Sequence, residues 1–250
     1  MKIYRIFRLK IFTEKVLNNW NIKCAHELSF EDRSIIKEIF YHKRYSPYFP
    51  FYKTCNIIDI GAHKGFFALY AGMNCSSESR IICLEPSQSN YTELTENINL
   101  NGLSNVHAIN KGIRSKAGSE SLYMYSPANN SLISEYENII DKSSDHVESI
   151  QVTTLPQIID TFKIEAIDFL KMDCEGSEYD ILYNLESSIY AMIKVISLEF
   201  HDLNDPKNSG DSLATYLSQQ GFTIINFSYI ESISKIHSGH LIAINTKVGH

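Results

Sequence analysis

From residue 51 onward, short apolar runs alternate with amphipathic stretches, and this alternation restricts the fold more than any other feature of the chain. Asn56–Ile60, Arg80–Glu85, Val106–Asn110, Ile167–Met172 and Val195–Phe200 read as strands. They are short and rich in Ile, Val and Leu, as strands buried on both faces must be. Phe66–Gly72, Ser89–Leu100, Ser177 to about Leu185 and Ser212–Gln220 read as helices between them. In Ser89–Leu100, Tyr91, Leu94 and Ile98 share one face. Strand–helix alternation gives a mostly parallel sheet with helices on both faces. Phe222–Phe227 and His240–Asn245 lie close in sequence and end the sheet antiparallel. The expectation is an α/β, Rossmann-like fold with a seven-stranded sheet. Ser121–Tyr125 reads as a strand of a small hairpin, and Asn129–Ser149 as a polar, irregular insert.

A chain of 250 residues fits one large domain with an appendage. No apolar run reaches 18 residues, so no membrane-spanning helix is expected. The net charge of −6 does not suit a nucleic-acid partner, which calls for a basic face. That charge is uneven. Residues 1–50 carry ten Lys and Arg against five Asp and Glu, and the rest carry 13 against 24. Residues 1–50 are therefore set apart as a helical extension, and 51–250 as the main domain. Met1–Trp20 mixes Ile3, Ile6 and Phe7 with Arg5, Arg8 and Lys10 at helical spacing. Such a helix either packs on the main domain or makes peripheral contact with an anionic membrane surface. A signal peptide is not expected, because charge interrupts the apolar run and no cleavage site follows. Ser29 and Asp32 are spaced as a capping box at a helix start. Cys24, Cys55, Cys75, Cys83 and Cys174 are an odd number without zinc-site spacing. A reducing, cytoplasmic location is expected.

In a parallel sheet of this kind ligands bind beyond the carboxyl ends of the strands. The first strand runs into Asp59-Ile60-Gly61-Ala62-His63-Lys64-Gly65. Glycines there let the backbone turn tightly against a ligand. Three residues separate Gly61 from Gly65, which is not the dinucleotide G-x-G-x-x-G pattern and weighs against an NAD-dependent oxidoreductase. Glu85, 24 residues after Gly61, ends the second strand, where a carboxylate can accept hydrogen bonds from a ribose diol. Together the turn and the acid point to an adenosine-containing ligand.

Four segments then carry a resemblance. NIIDIGAHKG (Asn56–Gly65), LEPSQSNYTELTENINLNGLSNV (Leu84–Val106), DFLKMDCEGSEYDIL (Asp168–Leu182) and ISLEFH (Ile196–His201) resemble, in order and spacing, the FkbM family of methyltransferases. The match covers about residues 51–205. The resemblance implies a class I methyltransferase fold, S-adenosyl-L-methionine as cofactor, and methylation of hydroxyl oxygens, often on sugars. It implies that Asp59 and Gly61, with Ala62, His63 and Phe66 around them, face the methionine end. Gly65 would support close helix packing and Glu85 would hold the ribose. Pro86 and Ser87 would border the adenine pocket, with Asn110 and Lys111 on its other wall. Two positions depart from many relatives: His63 replaces Asn, and Leu155-Pro156 replaces Leu-Asp.

Methyl transfer to a hydroxyl requires alignment of the acceptor oxygen with the methyl carbon and removal of its proton. Asp173 and Glu175 follow the strand expected beside the first. Glu199 and His201 end the next and point the same way. These four are the candidate catalytic residues, with His201 as a candidate base oriented by a carboxylate and Asp173 also bordering the cofactor. Asp173, Glu175, Glu199 and Asp202 are also hard oxygen donors suited to magnesium, although the reading requires no metal. Ser126–Ser149 either covers the acceptor or is a surface excursion. Tyr41, Tyr45, Tyr48, Phe49, Phe51 and Tyr52 either stack on a sugar or pack the extension onto the domain, and packing is favoured. The expected activity is O-methylation of a small-molecule or glycan hydroxyl, a carbohydrate modification. A silent cofactor-binding partner module and an N-methyltransferase are the alternatives. The oligomeric state is left open.

Overall fold

The computed structural model describes residues 2–126, 129–132, 146–203, 205–230 and 237–247. The extension consists of α1 (Lys2–Trp20) and α2 (Phe30–Ile36), the latter continuing into a π-helical turn, Lys37–Tyr41. The α2 start is a capping box. Ser29 Oγ accepts from the Asp32 amide at 3.0 Å, and Asp32 Oδ2 accepts from the Ser29 amide at 2.8 Å.

The main sheet is laid down by β1 (Asn56–Ile60), α3 (Phe66–Asn74), β2 (Arg80–Leu84), α4 (Gln88–Leu100) and β3 (Val106–Ile109) on one side. On the other come α5 (Leu155–Phe162), β8 (Phe169–Met172), α6 (Glu178–Tyr183), α7 (Ser187–Tyr190), β9 (Val195–His201), α8 (Gly210–Gln219), β10 (Phe222–Tyr229) and β11 (Ser238–Asn245). The strand order is β10-β11-β9-β8-β1-β2-β3. The five strands from β9 to β3 are parallel, and β11 runs antiparallel between β9 and β10. This is the mostly parallel seven-stranded sheet that the sequence predicts. Chain direction across the sheet reverses between β1 and β8, so a crevice opens beyond their carboxyl ends.

Both faces of the sheet are covered. Ile57 and Ile81 pack into one core layer with Phe67 and Leu69, while Ile58 and Ile82 pack into the other with Leu170 and Ile196. Leu17, Ile22, Ile36, Phe40, Tyr45 and Phe49 of the extension are buried in the first of these layers. The Phe49 ring lies 5.5 Å from Phe169 and the Tyr45 ring 5.1 Å from Phe67. The charge boundary near residue 50 thus does not divide the core. Tyr45 and Phe49 do the packing, while Tyr41, Tyr48 and Tyr52 are exposed. α1 buries Thr13 and Leu17 and leaves Ile6, Phe7 and Ile11 exposed. Among the described residues no helix is long and apolar enough to cross a membrane.

One expectation needs correcting. The segment Asn129–Ser149 is not simply irregular. A second sheet, ordered β4-β7-β5-β6, is formed by β4 (Gly112–Ile113), β5 (Gly118–Ser126), β6 (Asn129–Ser131) and β7 (His146–Thr153). Leu122, Ile150 and Val152 form its small core. Only one face is apolar, so its strands lack the continuous Ile/Val signal of the main sheet. Residues 133–145 of the expected insert lie outside the described residues. Pro156 stands in the first turn of α5, where a missing amide costs nothing, behind a Thr154–Gln157 capping box.

Candidate active site

The turn after β1 is built without room for a side chain. Gly61 has φ 78°, and a Cβ there would lie 1.8 Å from the Asp173 carbonyl oxygen. The Gly61 and Ala62 amides both donate to Leu84 O at 3.0 Å. Lys171 Nζ donates to Gly61 O at 2.7 Å and lies 3.0 Å from Asp59 Oδ1. Burial alone would push Lys171 down, but Asp59 and neighbouring groups hold its ammonium firmly charged. Asp59 is therefore not at the methionine end. It is fully buried beneath the turn as the counter-ion of Lys171, and Lys171 itself reaches the cleft wall. Gly65, φ 84°, meets Leu94 so closely that a Cβ would lie 2.4 Å from its Cδ1, which is the helix packing expected of it.

Glu85 is 4% exposed at the end of β2. Its Oε2 accepts from the His63 amide at 2.8 Å and its Oε1 from the Ser87 amide at 3.0 Å. Oε1 also accepts from Asn90 Nδ2 at 3.4 Å, so it is Oε2 that retains a lone pair for a hydroxyl donor. Burial raises its pKa to about 7, against the lowering effect of these amides and of Asn90. His63 adopts φ 51°, a left-handed conformation that Asn also tolerates. Asn110 Nδ2 bridges Glu85 O and Pro86 O at 3.0 and 3.1 Å. Gly61, Ala62, His63, Phe66, Glu85, Pro86 and Asp173 line the cleft. Ser87 is fully buried beside it, while Asn110 and the exposed Lys111 stand outside the lining. Asn110 supports the β2 end and does not wall the pocket.

At the other end Asp173, Glu175 and Glu199 line the cleft. Glu175 sits in a left-handed turn at φ 51°, its carbonyl accepting from Ser131 Oγ at 2.7 Å. His201 lies behind them, 5% exposed and outside the lining. Its Nε2 is 3.4 Å from Glu175 Oε2 and 3.9 Å from Glu199 Oε1, and its Nδ1 is 3.5 Å from Glu178 Oε1. Burial would lower its pKa, yet Glu175, Glu178 and Glu199 together hold it well above the ordinary value. His201 thus stands behind the carboxylates rather than on the cleft wall, and they favour its charged form.

Glu199, on the cleft wall, has a raised proton affinity. Burial and the Asp173 charge push it up to about 8, while His201 and Arg44 pull the other way. Arg44 Nη1 donates to Glu199 Oε2 at 2.6 Å. The ligand atoms of Asp173, Glu175 and His201 lie within 4.8 Å of one another. A charged His201 ring, together with Arg44, balances part of the carboxylate charge. Asp202 does not join them, since its Oδ1 accepts from the Gly210 amide at 2.8 Å.

The sequence reading missed the cleft's upper walls. Ile35, Glu38, Ile39 and Tyr45 come from the extension, and Ile113, Leu122 and Leu132 from the second sheet and its flank. Tyr45 stood in the aromatic run before β1, the one available signal.

Residues 59–224 match the family model described as the methyltransferase FkbM domain. Methyltransferase 1 of Beauveria bassiana (strain ARSEF 2860) is 28% identical over 225 residues, covering 84% of this chain and 88% of that protein. Methyltransferase sdnD of Sordaria araneosa is 26% identical over 224 residues, covering 78% and 83%. Among solved structures, M. capricolum TrmK in complex with S-adenosyl-homocysteine superimposes with a TM-score of 0.48 at 13% identity, covering 90% of this chain and 72% of that one. The buried Glu85 carboxylate, the side-chain-free turn at Gly61 and the apolar walls between them suit an adenosine bearing an amino-acid tail. The chain belongs to the FkbM methyltransferase family, and S-adenosylmethionine is its cofactor.

Proposed function

We propose that the enzyme methylates a hydroxyl oxygen of a polyhydroxylated small molecule or glycan sugar, with Glu199 as general base. The observation that carries this reading is the Glu199 carboxylate on the cleft wall, with one oxygen held by Arg44 at 2.6 Å; burial raises its proton affinity, as suits a general base. S-adenosylmethionine supplies an electrophilic methyl group when bound. In this reading Glu85 holds the ribose, and the Gly61 turn lets the backbone approach the tail. Asp173 and Glu175 offer acceptors for neighbouring sugar hydroxyls, and Tyr45, a phenol held neutral by burial, forms part of the acceptor wall. His201 holds Glu175 and Glu199 from behind.

The test is transfer of an isotopically labelled methyl group to a panel of free sugars, nucleotide sugars, hydroxy acids and amines. Label is expected on oxygen in a polyhydroxylated acceptor. Label on amines alone would establish N-methylation instead. Cofactor binding with no transfer to any acceptor would favour the silent module.

Two substitutions separate the roles. Glu85→Ala should weaken S-adenosylhomocysteine binding by ~1.5–3 kcal/mol, the value of hydrogen bonds to a charged group. In the parent the affinity should also fall as pH drops below about 7, where Glu85 takes up its proton. Calorimetric titration checks both, and unchanged affinity in the variant would remove Glu85 from the ribose site. His201→Gln should leave that affinity within about threefold and lower turnover at neutral pH about tenfold or more, because Glu199 loses a neighbouring positive charge. Equal loss of binding and turnover would make His201 purely structural.

A further inference from the structure

Glu38 and Arg44 lie upstream of residue 59, outside the segment that carries the family match, yet they reach the centre of the site. Arg44 Nη1 is 2.6 Å from Glu199 Oε2, and Nη2 is 3.3 Å from Glu38 Oε2. The side chain is only 20% exposed, so solvent screens the pair weakly. The backbone around it is fixed. The Arg44 amide donates to Glu38 O at 3.2 Å, and Tyr45 is buried against Phe67 and His240. Ser46 Oγ lies 3.1 Å from Tyr70 OH. The extension itself is tied to the cofactor turn, because Lys64 Nζ is 3.1 Å from Asp32 Oδ2 and the Ala25 amide donates to Asn97 at 2.8 Å.

We propose that Arg44 is a positioning residue for methyl transfer, holding one oxygen of Glu199 in place and favouring its carboxylate form while Oε1 remains to accept the acceptor's proton. This rests on the reading of Glu199 as the base. The charged groups facing Glu199 are Arg44 from the extension, Asp173 and Glu175 from the turn after β8, and His201 from its own strand. His240, opposite Glu199 on β11, is kept neutral by burial and lies 3.1 Å from Ser197 Oγ. Tyr45 is kept a neutral phenol. Arg44 and His201 are therefore the two cations against two carboxylates, and Arg44 is the nearer at 2.6 Å against 3.9 Å. An extension with no recognised catalytic motif thus sets the state of the catalytic group.

The test is a carboxyl titration by carbon NMR of the full chain, labelled at Glu and saturated with S-adenosylhomocysteine, with Glu199 assigned by Glu199→Gln. The parent midpoint is expected near 8. Arg44→Met should raise it by about 1 to 3 pH units, the effect of losing an opposite charge in contact. Arg44→Lys keeps the charge and should move it by less than half as much; it also serves if Arg44→Met does not fold. An unmoved midpoint in a folded Arg44→Met variant, or an equal shift in both variants, would overturn the assignment. If Glu199→Gln transfers methyl as fast as the parent, the base reading fails, and with it Arg44's link to transfer. The titration separates that failure from a failure of the Arg44 contact itself.

Discussion

Gly61→Ala is expected to abolish measurable S-adenosylhomocysteine binding and to lower the melting temperature. The added Cβ would sit 1.8 Å from the Asp173 carbonyl oxygen, a backbone atom that no rotamer change can remove. At φ 78° the alanine also carries left-handed strain of ~1–2 kcal/mol. Relief requires the β1 and β8 turns to part. Parting them strains the Lys171 bond to Gly61 O and the amide bonds to Leu84 O, which together aim the turn at the cleft. Gly102→Ala is the internal control. Gly102 has φ 64°, and nothing lies within 4 Å of its would-be Cβ, so it pays the strain without the clash. Each kcal/mol should shift the melting temperature by roughly 2–4 °C at this chain length. Gly61→Ala should fall well below Gly102→Ala in melting temperature, and only Gly61→Ala should lose the ligand. Equal melts and retained affinity would show that the two turns are not locked together as described.

The main sheet was legible because its strands are buried on both faces. Ile57, Ile58 and Ile60 in the first strand and Ile81–Leu84 in the second put apolar residues on both faces, as two-sided burial requires. The second sheet was not, because polar residues fill its outward positions. Glycine spacing and the distal acid singled out Gly61, His63 and Glu85, which the fold brings to one cleft. Asp59 was misplaced because a carboxylate at a strand end reads alike whether it faces ligand or a buried lysine, and its partner Lys171 comes from a remote strand. Alternation put Glu199 and His201 on one face correctly but says nothing of depth. That Glu199 meets the cleft and His201 lies behind it depends on Glu175, Glu178 and the turn at Cys174, whose amide donates to Glu178 at 3.0 Å. The Arg44–Glu199 contact joins residues 155 apart, beyond the reach of any local pattern.

Glu199→Gln should cost turnover about 10²- to 10⁴-fold, the range of general-base contributions, while S-adenosylhomocysteine affinity stays within about threefold of the parent. Glutamine keeps the shape and one acceptor oxygen but cannot take a proton. In the parent the rate should rise with pH and level off above about 8, as Glu199 becomes ionised, and the variant's residual rate should lack that limb. Asp173→Asn should move the limb to lower pH, since the Asp173 charge is, after burial, the largest cause of the raised affinity. Stability supplies a readout independent of the acceptor. The folded protein holds the Glu199 proton to about 8 whereas an unfolded chain releases it near the ordinary 4.5. Between those values the folded state binds more protons, so this group makes stability fall as pH rises. Above about 8 both states are ionised and the effect is constant. Glu199→Gln removes this term, and its melting temperature should therefore gain on the parent's across that window. A variant that melts in parallel with the parent at every pH, or that keeps the parent's pH–rate limb, would show that Glu199 is neither buried as an acid nor the base of the reaction.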